Sequence, residues 1–226
     1  MQSLFSLFLN LHIIGGFTAL LVFWVPIVTK KGGKVHRTAG WVYVAGMGTV
    51  SITALYMGIY RIITSDELGI VSFSWFLIFI SILSGATAFY GIRVLKYKKR
   101  TAMHRNLLDL SFPLLLILSG IAIGIYGWMI QSPLITWFPL VGIFLGSTQL
   151  IYWLRKPVKK MHWWFEHLAG MLGCCIATIT AFMVFGAPRL LNIETVNVFL
   201  WFLPTIFLTP VIIGYSVYYA KKFKVR

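Results

Sequence analysis

KKGGKVHRTAGWVYV, residues 30–44, brings four basic residues, a Gly-Gly turn and a histidine to the start of a long apolar run. Two later stretches share this character: YKKRTAMHRNLLDL from Tyr97 and RKPVKKMHWWFEHLAG from Arg155. Each is a cluster of positive charge followed by a histidine and then by apolar sequence. His36, His104 and His162 occupy the matching places, 68 and then 58 residues apart. Such spacing predicts three helical hairpins, each turning at a basic loop, with one further helix at the end.

Composition points to the same class. Mean hydropathy is +0.85. The chain is 59% hydrophobic and 11% charged, whereas soluble domains carry about 25% charged residues. Apolar runs long enough to cross a bilayer recur along the whole length. Strands of a membrane barrel would alternate over about ten residues, and these runs are continuous. Helices satisfy their backbone polar groups internally and are the remaining solution. The expected fold is all-α: a polytopic membrane bundle of seven transmembrane helices, at 4–28, 37–62, 71–96, 105–131, 133–154, 163–187 and 195–220. A single domain spans 1–226.

A formal charge of +15 would suggest nucleic acid in a soluble protein. Here position decides otherwise. All twenty Lys and Arg except Arg61 and Arg189 lie in the three basic loops, within about a turn of them, or in the tail KKFKVR. This is the positive-inside bias. It places the N-terminus outside and the C-terminus inside. The basic face would meet anionic lipid headgroups, each Lys or Arg contributing about 1 kcal/mol. Nucleic acid is excluded as a partner. No charge precedes Lys30, so the first run reads as a retained helix and not a cleaved signal. Cys174 and Cys175 are adjacent in a run and read as small packing residues. Gly46, Gly48, Gly85 and Ala86 read as close-approach positions between helices. Pro113, Pro139, Pro204 and Pro210 should kink their helices.

Ionisable groups inside apolar runs are candidate functional residues, because intramembrane charge is expensive. They are His12, Asp109, Glu166 and His167, with His36, His104 and His162 at helix starts. Two pairs at i, i+4 should meet on one face: Arg105 with Asp109, and His162 with Glu166. Glycines one turn beyond a histidine would clear its face for a planar ligand, as Gly40 does for His36 and Gly170 for His167. The structural alternative is that these glycines serve helix packing. A b-type haem would then take His36 and His167 as axial ligands, with His104 as the alternative partner and Arg37 near the propionates. A catalytic zinc would draw on His104, Asp109 and His167. No H-E-x-x-H, Walker loop or dinucleotide fingerprint is present. His162 and His167 stand about 140° apart round a helix and do not share one ion.

Two stretches resemble DUF2306, a family of bacterial membrane proteins. They are HIIGGFTALLVFWVPIVTKKGGKVHRTAGWVYVAGM from His12 and HLAGMLGCCIATITAF from His167. The matching positions are His12, Gly16, His36, Arg37, Gly40, Tyr43, His167, Met171, Thr178 and Thr180. This resemblance implies a multi-pass location in the bacterial cytoplasmic membrane and leaves the activity open. More distantly, the histidine-bearing helices are similar to b-type cytochromes such as the b561 group. That group places histidines toward both membrane faces, and here only His12 stands on the outer side. Three readings follow: a haem-binding redox protein, a small-molecule or proton transporter or structural membrane partner, and a metal-dependent hydrolase.

Overall fold

The computed structural model describes residues 2–193 and 197–224, and they are helical with no strand among them. Seven helices are long and apolar enough to cross a membrane. They are α1 (Gln2–Val28), α2 (Lys34–Thr64), α3 (Leu68–Tyr97), α4 (Leu107–Met129), α5 (Pro133–Leu154), α6 (His162–Leu191) and α7 (Phe199–Lys222). Positions 195 and 196, expected to open the last helix, lie outside the described residues, as do 225 and 226 of the basic tail. The bounds follow local chemistry. Pro113 lies within α4, while α5 breaks at Phe138 just before Pro139. The ring of a proline cannot donate to the preceding turn. In α6 a π-turn at Phe182–Gly186 interrupts the regular ladder. Cys174 and Cys175 are buried in α6, as packing residues should be.

The chain packs as two compact units, Met1–Ala86 with Leu114–Ser147, and Thr87–Pro113 with Thr148–Arg226. Helices α3, α4 and α5 each contribute to both.

In the first unit, small residues set how closely α1 and α2 approach. A Cβ on Gly46 would stand 2.9 Å from the Gly15 carbonyl and 3.3 Å from the Ala19 Cβ. Gly48 faces open space, so of the two expected contact glycines on α2 it is Gly46 that serves packing. Gly85 lies against Ser51, whose hydroxyl donates to the Ser81 carbonyl at 2.7 Å. Phe8 stacks on Tyr56 at 4.0 Å. Between α4 and α5, Gly127 meets the backbone of Ile135 and Thr136 so closely that no side chain fits. Phe76, Phe79 and Leu116 are fully buried here, with Phe138 edge-on to Phe76 at 5.6 Å. Leu114, Leu118, Ile121 and Ile125 leave an exposed apolar stripe on α4, the surface a lipid-facing helix presents.

Candidate functional site

The second unit gathers a cluster of bonded polar and charged side chains, built around Asp109, Arg100 and Glu166. Asn106 starts α4: its side-chain oxygen accepts from the Leu108 amide at 3.0 Å, capping the first turn. That cap puts Asp109 in the first helical turn, where the helix dipole favours a carboxylate. The Asp109 side chain is 0% exposed. Arg93, at the end of the regular part of α3, holds it through both oxygens, Nε to Oδ1 at 2.5 Å and Nη2 to Oδ2 at 2.8 Å. A third bond comes from His104, whose Nε2 donates to Oδ2 at 2.8 Å. The His104 ring lies between Tyr97, 4.2 Å away, and Trp153, 4.7 Å away.

The expected Arg105–Asp109 pair does not form. Arg105 precedes the helix and is exposed, so the i, i+4 rule has no helix to act on. Of the expected zinc set, His104 and Asp109 meet, with Arg93 and His104 holding the carboxylate, while His167 bonds the Gly91 carbonyl. No group of three His, Cys, Asp or Glu able to hold a metal exists among the described residues.

Arg100 ties the α3–α4 loop to the end of α5. Its Nη2 donates to the Tyr152 carbonyl at 2.8 Å, and its Nη1 to the Arg155 carbonyl at 2.8 Å and the Ala102 carbonyl at 3.1 Å. A cation here satisfies carbonyls that the helix end leaves without amide partners. The guanidinium also lies 4.4 Å over the Tyr152 ring.

Helix α6 starts at His162, after a left-handed turn at Met161 with φ 63°. His162 and Glu166 both line one cavity of about 590 Å³, as their spacing on one face requires. They do not bond each other. The Tyr152 hydroxyl meets His162 Nδ1 at 2.9 Å, and the Tyr90 hydroxyl donates to Glu166 Oε2 at 2.5 Å. Arg100, Arg155, Lys156 and Lys159 supply the cavity's positive charge. Ile151, Phe165 and Val217 give it an apolar wall. Next to it, Trp164 packs on Tyr219 at 4.4 Å and Lys98 sits 4.6 Å over the Trp163 ring.

His167 points elsewhere: its Nδ1 donates to the Gly91 carbonyl at 2.7 Å. The space beside it at Gly170 is taken. A Cβ there would stand 2.9 Å from the Gly91 Cα, so Gly170 admits a neighbouring helix and clears no face for a ring.

In the first unit His36 donates Nδ1 to the Pro26 carbonyl at 3.0 Å, and Gly40, one turn on, faces open space. Lys31 donates to the same carbonyl at 2.9 Å and also to Ile27. Burial holds its ammonium below the ordinary lysine value. His12 Nδ1 meets the Thr53 hydroxyl at 2.9 Å, and that hydroxyl donates onward to the Thr49 carbonyl. His36 thus belongs to the first unit and His167 to the second.

Arg93, Arg100, Tyr90 and Tyr152 were not among the residues singled out from sequence. A signal did exist for Arg93. A buried Asp109 needs a cation, and Arg93 ends the helix just before it in the chain.

Searches of curated proteins and of solved structures gave no match. A family model, described as "Predicted membrane protein (DUF2306)", matches residues 9–133. The match takes in His12, His36, Arg37 and Gly40 and stops short of the His167 stretch. It covers more than half of the sequence and agrees with seven helices of membrane-crossing length. The chain is a member of the DUF2306 family of membrane proteins.

Proposed function

We propose that this membrane protein binds or transports an amphiphile with a phosphate headgroup, a phospholipid, through the cavity of its second unit. The observation that carries the reading is the cavity's lining: four cationic side chains beside an apolar wall, in about 590 Å³. Ligand pockets of about 300–1,000 Å³ combine apolar walls with a few polar groups that fix orientation. Arginine and lysine at such a rim suit phosphate. With the basic loops on the cytoplasmic side, the ligand enters from the inner leaflet. Arg155→Gln and Lys159→Gln should each weaken binding of dihexanoyl phosphatidic acid to the purified chain by up to about tenfold, the scale of one charge-assisted hydrogen bond. Quenching of tryptophan fluorescence reads this out. Undiminished binding in the double variant would remove the reading.

Haem is the second reading, favoured by the histidine geometry. His36 and His167 each give Nδ1 to a backbone carbonyl. A carbonyl only accepts, so Nδ1 carries the hydrogen and Nε2 the lone pair that a metal takes. Haem so held would supply one-electron chemistry. The open face at Gly40 makes His36 the ligand to test first. Protein produced with ample haem should show a Soret band that His36→Ala loses and His12→Ala keeps. Colourless wild-type protein would end this reading.

A further inference from the structure

The cavity of the second unit holds one acid among its cations. Glu166 lines it and receives the Tyr90 hydroxyl on Oε2 at 2.5 Å. No hydrogen bond or ion pair reaches Oε1 among the described residues. An ionised carboxylate has about four lone-pair sites, and here one protein donor serves them. A part-buried charge so thinly bonded calls for a further donor.

Around Glu166 the charged and titratable groups come from every neighbouring element that lines the cavity. Arg100 stands in the α3–α4 loop and Tyr152 at the end of α5. Arg155, Lys156 and Lys159 precede α6, and His162 lies one turn before Glu166 on the same face. From α7 the lining is Ser216, Val217 and Ala220, which bring no charge. A ligand that was anionic alone would satisfy the cations and set like charge beside the Glu166 carboxylate. A ligand with an anion and an adjacent ammonium satisfies both.

We infer that the cavity selects a zwitterionic headgroup, a phosphate flanked by a primary ammonium, and that Glu166 is the residue that reads the ammonium. This rests on the lipid-binding reading above. In it the phosphate meets Arg155, Lys156 and Lys159, and the ammonium donates to Glu166 Oε1. Tyr90 is the positioning residue. By holding Oε2 it fixes the carboxylate, so that the other oxygen serves the ligand. Arg100 is engaged with backbone carbonyls and stays with the fold.

The test uses the full chain in a non-phospholipid detergent, titrated with dihexanoyl lipids and followed by tryptophan fluorescence. Phosphatidylethanolamine should bind about tenfold more tightly than its N-acetylated form, which lacks the ammonium, and than phosphatidylcholine, whose quaternary nitrogen has no N–H. Glu166→Gln should remove that preference while phosphatidic acid still binds. Equal wild-type affinity for the ethanolamine headgroup and its acetylated form overturns the inference, and so does a preference that survives Glu166→Gln. Should Glu166→Gln fail to fold, the two wild-type affinities decide alone. If phosphatidic acid binds and the preference is missing, only this inference falls. If no lipid binds, the lipid-binding reading falls with it.

Discussion

Asp109→Ala should destabilise the protein by about 3–5 kcal/mol, the scale for removing one partner of a buried ion pair. Thermal unfolding in detergent would measure it. The size follows from what is left behind. Arg93 would keep its charge beside Tyr97 and the Phe89 ring, with no carboxylate to receive Nε and Nη2. His104 would lose the acceptor of its Nε2 hydrogen as well. Removing both charges together, as in Arg93→Leu with Asp109→Leu, should recover a large part of the loss, because no orphaned charge then stays buried. His104→Ala should cost less than Asp109→Ala, since Arg93 still holds both oxygens. Arg105→Ala is the informative control. It should leave stability unchanged, being exposed and outside the helix. Equal effects of Asp109→Ala and Arg105→Ala would mean that the carboxylate is held by the wrong arginine here.

The fate of Arg105 shows where sequence stops being sufficient. The seven helices were legible because long apolar runs alternate with basic loops, a pattern that depends only on the bilayer's thickness and charge preference. Their ends were legible to within a few residues: 37–62 was expected for the helix found at Lys34–Thr64, and 105–131 for Leu107–Met129. That small shift at the start of α4 was enough to move Arg105 off the helix and leave the partner role to Arg93, at the end of α3.

The same limit governs Glu166 and His162. Spacing placed both on one face, and both line the cavity. It could not reveal that Tyr90 and Tyr152, 76 and 10 residues away, would take the bonds open to Glu166 and His162. Periodicity within one helix says which residues share a face. It is silent about which helix lies opposite.

Glycines carry that lesson into the last prediction. Gly40 and Gly170 looked equivalent in sequence, each one turn beyond a histidine. Gly170→Ala should destabilise the protein by about 1–3 kcal/mol, the range for overpacking. The new Cβ would meet the Gly91 Cα at 2.9 Å and the Gly91 nitrogen at 3.2 Å. Both are backbone atoms, which cannot swing aside as the end of a side chain can. Relief requires α3 and α6 to separate locally, which also stretches the 2.7 Å bond from His167 to the Gly91 carbonyl. Gly40→Ala meets nothing within 4 Å and exchanges glycine for the best helix former. It should leave stability unchanged or raise it by up to about 1 kcal/mol. Unfolding midpoints of the two variants, measured side by side, test the assignment. A stable Gly170→Ala protein would show that the Gly91 backbone gives way, and that the space beside His167 is open after all. A destabilised Gly40→Ala protein would put an unseen neighbour on the face of His36, the face on which the haem reading depends.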